Sequence, residues 1–108
     1  MEKLYVITRN DLKPGLQLAQ SCHTVWQFRE DHPDLAKRWY EESNNIACLQ
    51  VPDEATLVHL ATLASQRGIA VSAFREIDLD DEITGIALMG EGVGKLTANL
   101  PLALRLAA

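Results

Sequence analysis

The sequence predicts an α/β fold, a three-layer sandwich in which a mixed sheet of about four strands is flanked by helices. Three observations point there. Four short apolar runs, residues 4–8, 46–51, 69–74 and 83–89, have the length and residue types of strands. Helical stretches separate the first three, as crossover connections require. The last two runs are joined by the polar loop 75–82, too short for a helical crossover, so that pair is expected to run antiparallel. A chain of 108 residues supports one domain, 1–108, and not two.

Each element follows from local signals. Residues 4–8 are nearly all apolar, as in a central strand buried on both faces. A polar loop holding Asp11, Lys13, Pro14 and Gly15 leads into the first helix. Pro14 suits a first helical turn, and the helix is expected to run to about Glu30. His32-Pro33 breaks it, because a residue before proline resists helical geometry. A second helix follows at 34–43, with Leu35 and Trp39 one turn apart, and Asn44-Asn45 ends it. Asp53 reads as the N-cap of a third helix with a buried stripe of Leu57, Leu60, Ala61 and Ala64. Gly68 fits the position just past its end. Residues 93–99 read as a short last helix, and an apolar tail begins at Pro101. On the first helix, Gln20, His23 and Gln27 share one face. Leu18, Cys22, Val25 and Trp26 lie on another, assigned to the core.

Composition limits the function classes. The net charge of −5 argues against a protein that coats nucleic acid through bulk charge, yet allows a local basic patch. Two cysteines, Cys22 and Cys48, give neither a disulfide framework nor zinc spacing. They suggest a reducing, cytoplasmic setting. No secretory leader and no apolar run long enough to span a membrane is expected. No two histidines are spaced as metal ligands on one helix, so no metal is expected. Residues 90–97 imitate a phosphate loop but fail its spacing, since Leu96 follows Lys95 where Ser or Thr is needed.

The candidate site lies where the first strand turns into the first helix, the usual place for ligands in α/β folds. Unpaired N–H groups at a helix start attract anions. His23 can serve as a general base, or be a structural histidine. Asp11 can do acid–base chemistry, or cap the helix. Glu76 directly follows a strand, a good position for chemistry. Asp78, Asp80, Asp81 and Glu82 read as a solvated turn. Cys22 and His23 are adjacent and point about 100° apart on a helix, so they do not form a nucleophile pair.

Arg9, Asp11, Leu12, Gly15, Ala19, Gln20 and His23 together resemble the first motif of the type II peptidyl-tRNA hydrolases. Val51-Pro52-Asp53-Glu54 with Thr56-Leu57 is similar to the opening of that family's third helix, and Phe74-Arg75-Glu76 to its arginine–aspartate loop. The segment from Arg29 to Pro33 is similar to the peptidyl-tRNA hydrolase domain-containing subgroup. The resemblance implies an α/β sandwich, no cofactor, and hydrolysis of the ester joining a peptide to the 3′ end of its tRNA. Carried over position by position, it implies catalytic roles for His23, Glu76, Gln20 and Asp11. It implies contacts to a tRNA acceptor end by Arg9, Gly15 and Thr84; Lys13, and Lys95 because it begins a helix, are further candidates for a phosphate. Three positions depart from the family pattern. Leu16 stands where a lysine is expected, Glu76 replaces an aspartate, and Gly85 aligns with a threonine, with Thr84 beside it. Lys13 is the nearest substitute for the lysine.

Two further functions stay open on the sequence. One is a catalytically weak module that holds a tRNA end or another anionic ligand. The other is a scaffolding homodimer built on the apolar tail, 100–108. Arg9, Gln20 and His23 favour the hydrolase. Leu16, Gly85 and the net acidity favour the binding module. Arg9, Lys13 and Lys95 are expected to form the positive patch beside the pocket.

Overall fold

Strand β1, Lys3–Arg9, sits in the middle of a four-stranded sheet. The computed structural model describes residues 2–105. After β1 come α1 (Pro14–Asp31), α2 (Pro33–Glu42), β2 (Asn45–Val51), α3 (Glu54–Gln66), β3 (Ala70–Glu76), β4 (Glu82–Met89) and α4 (Val93–Leu96). The strand order is β2-β1-β4-β3. β1 and β2 pair in parallel, while β4 runs antiparallel to both β1 and β3, so the sheet is mixed as expected.

The sheet carries one core on each face. Leu4 and Val6 of β1 and Ala87 and Met89 of β4 meet Phe28, Ala36 and Trp39 of α1 and α2. Ile7, Leu49, Ile86 and Leu88 meet Leu57, Leu60 and Ala64 of α3 and Val93 of α4. Alternation along the strands sends neighbouring side chains to opposite cores. Burying a side chain such as Phe28 is worth about 1.5–3 kcal/mol, which is why both faces need a helical cover.

Local signals are realised at several ends. Asp53 caps α3, its carboxylate accepting the Thr56 N–H at 2.8 Å. Gly68 follows that helix at φ 75°. Only His32 separates α1 from α2. α4 is one turn long, shorter than expected. The loop after β3 contains a 3-10 turn, Ile77–Leu79. The start of the tail lies against the free edge of β2: Gln50 N–H donates to the Pro101 carbonyl and Ala103 N–H to the Cys48 carbonyl. Residues 106–108 of the expected apolar tail lie outside the described residues. Among the described residues, no helix is long and apolar enough to cross a membrane.

The buried face of α1 corrects the sequence expectation. Leu18 is 54% exposed, Trp26 is 61% exposed and Cys22 is also exposed. The residues turned into the protein are Gln17, Gln20, Thr24 and Phe28. This face is polar except at its last turn. It can be buried because each amide finds a partner, and a satisfied polar group loses the penalty that would otherwise keep it outside. Leu16 is also at the surface and does not pack inward.

Candidate active site at the start of helix α1

Two buried glutamines fasten the first turns of α1 to the sheet. The Gln17 amide donates to Thr8 Oγ1 and to Gln50 Oε1, both at 3.0 Å, tying the helix to β1 and β2. Gln20 reaches the other way. Thr84 Oγ1 donates to Gln20 Oε1 at 2.6 Å, and Gln20 Nε2 donates to Glu76 Oε1 at 2.8 Å. The order of donors fixes the amide's orientation. An ionised carboxylate only accepts, so the Gln20 nitrogen faces Glu76 and its oxygen faces the Thr84 hydroxyl.

The strand ladder explains how Thr84 joins this chain. Phe74 pairs with Gly85, but Arg75 pairs with Ile83, so Thr84 is an extra residue in β4. Such a bulge re-aims a side chain. Thr84 is thereby brought to Gln20, while Ile83 enters the core under α3. Gly85 follows, and it has no room for a side chain. A Cβ there would sit 2.1 Å from Thr24 Oγ1 and 3.2 Å from Thr24 Cβ. The glycine therefore lets α1 approach the sheet closely enough for Gln20 to span Thr84 and Glu76.

Glu76 and His23 form the accessible side of the cluster. Glu76 is held below the usual carboxylate range, first by the Gln20 hydrogen bond, then by the Asp78 N–H, with His23 adding a smaller attraction. It is therefore ionised at neutral pH and a weak proton acceptor by itself. The exposed His23 ring stacks on Phe74, with centroids 5.1 Å apart and planes 26° from parallel. That contact holds the imidazole at the rim, within reach of the charge of Glu76.

Arg9 is buried, and its guanidinium donates to both Asp11 oxygens at 3.0 and 2.9 Å, to Glu82 at 2.6 Å and to the Ile83 carbonyl. The hydrogen bond to Asp11, then that to Glu82, holds the guanidinium protonated far above its ordinary range despite burial. Asp11 is correspondingly held below its ordinary range by Arg9. Asp11 thus neither caps α1 nor joins Gln20 and Glu76, and Arg9 is occupied by its own carboxylates. Alternation along β1 sends Arg9 to the sheet face opposite Thr8. Lys13 is exposed at the N-cap position of α1 and makes no side-chain cap. Gly15 is exposed, with no atom within 4 Å of where a Cβ would stand, so the helix start is open. Lys95 lies on α4, whose Val93 packs into the α3-side core and whose Gly94 lies beside Tyr5. Arg9, buried and paired with two carboxylates, is therefore not free to join Lys13 and Lys95 in a positive patch.

Sequence reasoning missed Gln17, Thr8, Gln50, Phe74 and Thr24. The close spacing of Gln17 and Gln20 on one helix face was the available signal. A cavity of about 870 Å³ lies elsewhere, between α1 and α2, with Val25, Phe28 and Trp39 among its walls.

Comparison with known proteins supplies an independent line. The family described as peptidyl-tRNA hydrolase PTH2 matches residues 2–102. A bovine protein named peptidyl-tRNA hydrolase 2, mitochondrial, is 34% identical over 93% of this chain, and its human namesake is 28% identical over the same share. The chain spans 63% of the length of these relatives. A solved Agrobacterium protein of unknown function superposes with a TM-score of 0.65 at 17% identity, covering 94% of this chain and 96% of its own, which establishes the likeness of fold.

Proposed function

The chain belongs to the peptidyl-tRNA hydrolase PTH2 family, and from that premise we propose that it hydrolyses the ester between a peptide and the 3′ end of tRNA. The observation that carries this is the chain Thr84–Gln20–Glu76 with His23 beside it, at the start of the helix that holds the family motif. The relatives' names support hydrolysis over a binding-only module.

Ester hydrolysis needs a positioned water, a base, and donors for the oxygen that gains negative charge. His23 is the base: its exposed ring takes a proton from the attacking water, and ionised Glu76 stabilises the imidazolium that forms. Gln20 is a positioning residue. It is 1% exposed and acts by holding Glu76 in place. Thr84 fixes Gln20 in turn. The free N–H groups at the start of α1 and the Lys13 ammonium supply the positive end, which suits a phosphate or the developing oxyanion. Gly15 keeps that approach clear. As the acyl–oxygen bond breaks, the imidazolium returns that proton to the terminal ribose oxygen, which leaves as a hydroxyl while the peptide carbonyl keeps the oxygen of the water. Leu16 offers no charge, and the net charge of −5 does not favour phosphate binding, so turnover is expected to be slow.

We place the reaction in the cytoplasm on the two exposed free thiols, Cys22 and Cys48, which suit a reducing compartment. The test of function compares N-acetyl-aminoacyl-tRNA, free aminoacyl-tRNA and free tRNA. Release of the N-blocked amino acid, lost in His23→Ala, is expected. Tight tRNA binding without ester cleavage would overturn the hydrolase.

A further inference from the structure

We propose that the open edge of β3 receives the peptide portion of the substrate as an added strand, running parallel to β3 and ending with its ester beside Glu76. This rests on the hydrolase function above and extends it to how the peptide is held.

The two edges of the sheet differ. The outer edge of β2 is occupied by the chain itself, through the bonds to Pro101 and Ala103. β3 is the other edge strand and, among the described residues, pairs with β4 alone. Among the described residues, no backbone group outside the sheet bonds to the main chain of 70–75. His32 Nε2 lies 3.0 Å from the Val71 carbonyl, which shows that this carbonyl points away from β4. In an antiparallel pair a residue's N–H and C=O point the same way, and alternate residues share that direction. Ala73 and Arg75 therefore also present their N–H and C=O outward. Ala73 is small and exposed, and 70–75 contains no proline. The devices that blunt this edge are the charges of Arg75 and Glu76, the bulge in the β4 partner strand and the His32 contact, and Ala73 lies between them.

The location joins this edge to the chemistry. β3 ends at Glu76, and Phe74, two residues earlier, carries the stacked His23 ring. A peptide parallel to β3 has its C-terminal residue, the one bearing the ester, at that end. Recognition through main-chain hydrogen bonds also fits the substrate class. A hydrolase for peptidyl-tRNA meets many peptide sequences, and strand addition reads the backbone that all of them share.

The experiment uses the full chain and tRNA carrying N-acetyl-tetra-alanine, with the amides beyond the ester-bearing residue methylated one at a time. N-acetyl-alanyl-tRNA, which has almost no strand to add, is the reference. Methylation at alternate positions should raise KM roughly tenfold, as expected for losing one or two hydrogen bonds. Ala73→Pro removes one outward N–H and spares the ladder to β4. It should raise KM for the tetrapeptide substrate by a similar factor and leave the reference unchanged. If that variant does not fold, the methylation series on the natural protein decides. Equal KM for every methylated substrate, or an equal effect of Ala73→Pro on both substrates, would overturn the proposal. A free N-acetyl-tetra-alanine amide that shifts the amide NMR signals of Val71, Ala73 and Arg75, with neither ester cleaved, would support the edge site and sink the hydrolase. A dimer that pairs β3 with β3 and is untouched by the peptide would give the edge to a second copy and overturn the site.

Discussion

Placing at position 85 the threonine that the family resemblance implies should damage this protein. Gly85 lies directly under α1, and an added Cβ would overlap Thr24 Oγ1 at 2.1 Å. Thr24 is fully buried, and its hydroxyl donates to the Gln20 carbonyl at 2.7 Å. A β-branched side chain in a helix has few other rotamers to adopt, so the helix itself must move. Overpacking of this kind costs about 1–3 kcal/mol, and a threonine's extra methyl and hydroxyl place Gly85→Thr at the upper end. For a domain of this size that corresponds to a Tm lower by roughly 10–20 °C. Lifting α1 also draws Gln20 away from Thr84 and Glu76, so ester hydrolysis should fall with stability. The assay is thermal unfolding with a double-mutant cycle of Gly85→Ala and Thr24→Ala. The expected coupling is at least about 1 kcal/mol, because Thr24→Ala removes the nearest clashing atom. Gly85→Thr with an unchanged Tm and full activity, or strictly additive effects in the cycle, would refute this packing.

Leu16 is 37% exposed, so Leu16→Lys should fold within about 0.5 kcal/mol of the natural protein. It should speed hydrolysis, and His23→Ala should abolish the gain; a stable variant without any gain would show that no cation is missing there. Arg9→Met should cost about 2–4 kcal/mol in urea unfolding, less than a fully buried pair, because Asp11 and Glu82 are about 40% exposed and return to water. The salt dependence of tRNA binding should not change in that variant, and a reduced salt slope would put Arg9 on phosphate. Asp11 and Glu76 both have depressed folded-state values, so their contribution is complete above the ordinary carboxylate range and is lost as pH falls through the depressed values. Tm should therefore decline on acidification below that range. Arg9→Met should flatten the decline, and an unchanged profile would contradict the Asp11 assignment.

The sheet and its helices were legible because their signals are local. Apolar runs mark the strands, His32-Pro33 separates α1 from α2, and Asp53 caps α3. The short connection between β3 and β4 also announced an antiparallel pair. The orientation of α1 was not legible. Periodicity favours Leu18, Cys22, Val25 and Trp26 as the buried face; Val25 does pack against the core, but the fully buried positions before Phe28 are Gln17, Gln20 and Thr24. Their partners, Thr8, Gln50, Thr84 and Glu76, come from all four strands, and no window of sequence contains them. The same limit hid the role of Gly85. Its departure from the family pattern looks like a lost hydroxyl, whereas the bulge presents Thr84 to Gln20 and needs the glycine for clearance. Arg9 misled for a related reason: the two carboxylates that occupy it lie two and 73 residues away.

The most direct measurement is the single-turnover cleavage rate of N-acetyl-aminoacyl-tRNA by Gln20→Met, Glu76→Gln and the double variant, with folding checked by Tm. If Gln20 acts by holding Glu76, each single change should lower the rate by a factor on the order of 10²–10³, and the double should lose no more than the worse single. Well-folded single variants that cleave at the natural rate, or losses that multiply in the double, would contradict a site built on the chain from Thr84 through Gln20 to Glu76.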